Sequence, residues 1–173
     1  MRHDAGKIKE AELVSKLTQA ALVAAAAGAV AFSPAIASAT PGATAVMPLS
    51  GKFRACDFTL EKWVSAHGYT RAIAHLSTSG PNVVATVDLA TAEPDTRYDV
   101  RIIQTPRASI GCAPGAPGVV TGSVQTDAGG AGSTTLQGPI ESGATGAWVI
   151  VQRPAPNSQT PAEFYTSEFI ASI

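Results

Sequence analysis

Residues 82–105 read NVVATVDLATAEPDTRYDVRIIQT. Val83, Ala85, Val87 and Leu89 share one side of an extended chain, while Thr86 and Asp88 take the other. After a Pro-containing turn the alternation resumes, with Tyr98, Val100 and Ile102 inward and Asp99, Arg101 and Ile103 outward. Successive strand side chains point to opposite faces, so this alternation predicts two half-buried antiparallel strands.

The same texture extends on both sides. Strand-like runs are expected at 69–77, 82–90, 97–105, 119–126, 132–140, 146–153 and 162–173. Between them lie turn clusters such as Ser79-Gly80-Pro81-Asn82, Glu93-Pro94-Asp95, Asp127-Ala128-Gly129-Gly130 and 142–146. Proline fixes φ there and glycine accepts positive φ. Ala147 to Val151 is continuously apolar, which suits a central strand covered on both faces. Two connections are longer: 106–118, which contains Cys112, and 153–161. Binding residues usually sit on such loops.

The corner at Leu89, Pro94 and Tyr98 resembles that of fibronectin type III and related immunoglobulin-like domains. There a strand ends in Leu, a Pro-containing turn follows, and a Thr-x-Tyr-x-Val strand begins. The resemblance implies a tyrosine corner, with the Tyr98 ring buried and its hydroxyl bonded to turn backbone. It spans only about fourteen residues, and a single clear strand precedes the corner pair, so the family's topology is not carried over. The expected fold is all-β, an antiparallel immunoglobulin-like β-sandwich of about seven strands.

The N-terminus reads differently. Arg2, Lys7, Lys9 and Lys16 lead into the uncharged run Ala20–Phe32, 13 residues long, and Ala37-Ser38-Ala39 follows. A charged start, an apolar stretch and an A-x-A site make a secretory signal peptide, helical and cut before Thr40. The run is too short for the roughly 20 residues of a membrane span, so no span is expected after signal removal. The division expected is 1–39 as signal peptide, 40–68 as an extended segment and 69–173 as the β domain. Within the middle segment, residues 57–66 suit one or two helical turns, with Phe58 and Trp63 covering a sheet edge. Cys56 and Cys112 are the only cysteines of the 173 residues. In an exported chain such a pair is expected to form a disulfide.

Composition narrows the function. Twelve basic residues against thirteen acidic ones give a net charge of −1, leaving no electrostatic basis for nucleic-acid binding. No serine elbow or S-x-x-K motif is present. Only His67 and His75 follow the leader, and their separation of eight residues fits no short ligand spacing, even with Asp57 or Glu61 nearby. No cofactor or metal is expected. Asp88, Asp99, Glu141, Glu163 and Glu168 could supply glycosidase chemistry, but nothing pairs them, and solvated outward positions are expected. The stretch 127–133, DAGGAGS, lacks the lysine of a phosphate loop and reads as a hairpin. Trp148 is expected in the core and Trp63 as a lid over the sheet.

A wider resemblance rests on the leader, residues 53–57 (FRACD), 98–101 (YDVR), Thr126-Asp127 followed by glycines, and 161–167 (PAEFYTS). Across most of the exported chain the sequence resembles uncharacterised secreted proteins of mycobacteria and related actinobacteria. That resemblance implies secretion, extracellular or into the cell envelope, and a β fold; it brings no activity. The expected function is therefore non-catalytic binding of a protein or cell-envelope ligand. The alternative is a small extracellular hydrolase whose acid–base pair, including His67 or His75, is assembled only by the fold.

Overall fold

Alternating apolar residues build nine strands in the computed structural model, which describes residues 43–64, 68–158 and 160–173. They are β1 (Ala45–Ser50), β2 (Arg71–Ser79), β3 (Asn82–Ala90), β4 (Arg97–Thr105), β5 (Val119–Gln125), β6 (Gly132–Pro139), β7 (Gly146–Arg153), β8 (Glu163–Ser167) and β9 (Ala171–Ser172). The described residues contain no helix. The signal-peptide reading, with its helix and its site at Ala37, Ala39 and Thr40, lies outside the described residues.

All pairings are antiparallel, in the order β5-β4-β7-β8-β1-β2-β3-β6, with β9 continuing along β7 beyond β8. The link between β8 and β1 is short, Leu49 opposite Ser167 and Ser50 opposite Thr166. The terminal strands β5 and β6 lie against each other without a ladder, so the sheet is nearly closed into a barrel. Glycine makes that close approach possible. A Cβ on Gly122 would lie 3.1 Å from Cγ of Leu136, and one on Gly138 only 2.5 Å from Cγ2 of Val120.

The interior takes one side of every long strand. Met47, Leu76, Val83, Val87, Tyr98, Val100, Ile102, Val149 and Val151 are fully buried there. β7 has a second buried face, as its unbroken apolar run implies: Trp148 and Ile150 join Ile103 of β4 under Phe53, Phe58 and Cys112. Ile103, an outward residue by alternation, is buried because the segment after β1 and the disulfide loop cover it.

Three expectations change. The count is nine strands rather than seven, because the lead-in supplies β1 and the last run breaks into β8 and β9. The break is mended by Ser167, whose hydroxyl accepts the N–H of Val149 and donates to the carbonyl of Phe169. Residues 57–64 fold as turns, with an isolated bridge from Arg54 to Leu60, rather than as a helix. Finally, of the two aromatics expected over the sheet only Phe58 covers it, its ring 5.5 Å from that of Trp148, whereas Trp63 is 80% exposed.

Candidate functional site

Cys56 and Cys112 are disulfide-bonded, with Cα atoms 5.6 Å apart. The bridge fastens the 106–118 loop to the segment after β1, and two backbone contacts reinforce it. Cys56 N–H donates to Ser109 O at 3.0 Å, and Cys112 N–H meets Sγ of Cys56 at 3.1 Å. Together these segments form two walls over the outer face of β4 and β7.

Between the walls is a hollow of about 420 Å³. Ile103, Trp148 and Ile150 lie beneath it, almost wholly covered, and Arg54, Trp63 and Ile110 are among the residues around it. Trp63 and Ile110 are 80% and 81% exposed, a conspicuous position for two large apolar side chains on one opening. Trp63 is steadied by its indole N–H, which donates to Oε2 of Glu61 at 2.6 Å. Arg54 stacks on Phe58, its guanidinium carbon 3.9 Å from the ring centroid. Two buried donors of this site, Nε1 of Trp148 and Nε of Arg54, have no acceptor among the described residues. Such groups normally carry a partner.

A second hollow, about 470 Å³, lies over β4 and β5, and polar and apolar surface share its lining. Arg97, Asp99, Thr121 and Ser123 line it, and Arg101 and Gln152 belong to both hollows. Arg97 and Asp99 form an ion pair at 3.3 Å. Arg101 donates to the carbonyl of Cys112 at 2.8 Å and to Oε1 of Gln152. Burial lowers its pKa, while Asp99 acts in the opposite direction; an arginine nonetheless stays charged.

Tyr98 has no exposed surface, and its hydroxyl accepts the N–H of Glu93 in the preceding turn at 3.1 Å. It also donates to Oε2 of Glu163 at 3.1 Å. Glu163 is only 4% exposed, so the solvated position expected for it is overturned. Its Oε2 also accepts the Tyr165 hydroxyl at 3.0 Å, and its Oε1 takes Nε and Nη2 of Arg153 at 2.8 and 2.7 Å. Burial raises the pKa of both phenols, which keeps them protonated as donors. The hydroxyl of Thr70, just before β2, donates to Oε2 as well at 3.4 Å, so the cluster ties β4, β7, β8 and the approach to β2 together and leaves the carboxylate little open surface for a substrate.

The remaining acids stay apart. Asp88 faces His75 across β2 and β3 at 3.9 Å on an open strand face. Glu168 is paired with Lys52 at 2.8 Å, and Glu141 borders a third hollow beside Gln104 and Arg107. His67 lies outside the described residues. Among the described residues no three of His, Cys, Asp and Glu gather as metal ligands.

The sequence pointed to the loop that holds Cys112 but not to Arg54, Arg101 or Ile110. The one available signal was Ile103, an apolar residue in an outward phase. Fold and site together define an all-β domain whose outer face carries a disulfide-walled hollow. The chain matches no protein-family model, no curated protein and no solved structure.

Proposed function

We propose that the protein is a secreted, non-catalytic binding domain of the extracellular space or cell envelope, and that its ligand enters the hollow beside the disulfide. The single observation behind this reading is the exposure of Trp63 and Ile110 on one hollow, above the buried Ile103, Trp148 and Ile150. Water-exposed aromatic and aliphatic side chains on a concave opening are costly unless something covers them. A volume of about 420 Å³ suits a small molecule or one extended chain.

The disulfide supports export, since such bonds persist in oxidising compartments. The reading extends to architecture and kinship. In it, β5-β4-β7-β8 and β1-β2-β3-β6 act as two sheets of an immunoglobulin-like sandwich joined along β8 and β1, in a chain of the actinobacterial secreted type. The hydrolase alternative rests on His75 and Asp88, which share an exposed strand face without a cleft.

Native mass spectrometry of the protein purified from the medium of a secreting host tests the reading. A co-purifying adduct is expected in the wild type, lost on heating or solvent extraction, and depleted in Trp63→Ala and Ile110→Ser. An adduct that both variants retain, or a wild type that never carries one, would overturn it.

A further inference from the structure

The binding reading above leaves the chemistry of the ligand open, and Arg101 narrows it. This side chain is half-buried at the wall shared by the two hollows. Its two acceptors, the carbonyl of Cys112 and the amide oxygen of Gln152, are both neutral. No carboxylate lies within 4.0 Å of it among the described residues; the nearby Asp99 is held by Arg97. A guanidinium carries five N–H donors, so two acceptors leave it under-used. A partly buried cation whose direct acceptors are neutral, with only the more distant Asp99 to offset its charge, gains from an anion, and a carboxylate matches its fork.

The surroundings single Arg101 out. Of the three arginines in the two hollows, Arg54 faces Glu168 at 3.8 Å and Arg97 is paired with Asp99 at 3.3 Å, which leaves Arg101 as the one without a carboxylate within 4.0 Å among the described residues. On one side of Arg101 the hollow carries the exposed Trp63 and Ile110, and on the other Thr121 and Ser123. Polar recognition and apolar burial are therefore offered side by side.

We infer that the site takes a free, single-chain amphiphile with a carboxylate head, the head on Arg101 and the apolar chain between Trp63 and Ile110. In this arrangement Gln152 yields its place on Arg101 to the ligand's carboxylate. The inference rests on the binding reading, and the controls separate the two.

The ¹⁵N-labelled protein is titrated with sodium octanoate, octyl glucoside and sodium acetate, and amide shifts are followed. Octanoate is expected to move amides of β4, β7 and residues 106–118, and to bind at least tenfold more tightly than octyl glucoside or acetate. Its affinity should fall as salt rises, and that of octyl glucoside should not. Arg101→Gln should weaken octanoate at least tenfold and leave octyl glucoside unchanged, whereas Trp63→Ala should weaken both. If Arg101→Gln does not fold, the salt dependence of the wild type decides. Equal binding of octanoate and octyl glucoside at the hollow would retire the carboxylate and leave the binding reading standing. Octanoate shifts centred elsewhere, shifts indifferent to Arg101→Gln, or binding only to anionic phospholipid vesicles would overturn the inference. Failure of all three soluble probes would overturn it too, while the adduct experiment judges the binding reading separately.

Discussion

Tyr98 and Glu163 carry the interior through one shared hydrogen bond. Tyr98→Phe removes a hydroxyl that accepts from Glu93 and donates to Glu163, at an expected cost of about 1–2 kcal/mol. Tyr98→Ala also empties the ring's volume and should cost about 3–5 kcal/mol. Glu163→Ala leaves Arg153 and two tyrosine hydroxyls without their acceptor and should cost about 3–5 kcal/mol. Urea melts measure all three; a wild-type midpoint for Tyr98→Ala would mean that the strand phase is wrong. Tyr98 was legible because alternation along 97–103 and the preceding Pro94 fix its direction. Glu163 was not. Its hydroxyl partners Tyr98 and Thr70 lie 65 and 93 positions away, and only the folded sheet turns a residue that reads as solvated into the acceptor for both.

The elements divide into those that the chain's own pattern announces and those that depend on a partner. β3, β4 and β7 follow from alternation and from an apolar run, and their boundaries fall within a residue or two of expectation. β1 was hidden in a Pro/Gly-rich lead-in, because its edges are supplied by β2 and β8 rather than by its own composition. Trp63 could not be read correctly either: from sequence an aromatic near a sheet is core or rim alike, and Phe58 occupies the covering position. The disulfide joins residues 56 positions apart, and the chain-entropy model gives such a closure about 4 kcal/mol. On reduction, hydrogen exchange should rise first at 106–118 and 53–64, with β2 and β3 still protected. Uniform loss of protection would mean that the outer cover and the barrel are one cooperative unit.

At the β1–β8 link, the hydrogen bond from Lys52 is the main cause that holds the Glu168 carboxyl below its ordinary value. A carboxyl depressed in the folded state stabilises above the unfolded glutamate pKa of about 4.3, and that contribution disappears as pH falls through the lower folded value. Lys52→Ala should therefore lower stability at neutral pH, by a small amount since the pair is partly exposed, and its difference from wild type should vanish as pH falls through the folded value of Glu168. Urea melts read by circular dichroism from neutral pH downward check this; a difference between variant and wild type that is as large in acid as at neutral pH would deny the ion pair this role.

For the whole molecule, the near-closed sheet supplies rigidity and the disulfide-walled loop supplies an opening on its outer face. The reading as an exported protein predicts a mature chain beginning at Thr40, which N-terminal sequencing of secreted material checks; an intact Met1 would contradict it. The central claim is that the hollow between residues 53–64 and 106–118 is the working surface. Amide shift mapping of the ¹⁵N-labelled protein against an unfractionated small-molecule and envelope extract of the secreting host tests it without prior choice of ligand. The perturbed amides should cluster on β4, β7 and the two walls, and Trp63→Ala should abolish the response. Perturbations gathered instead around His75 and Asp88 on β2 and β3, or unchanged by Trp63→Ala, would contradict the claim.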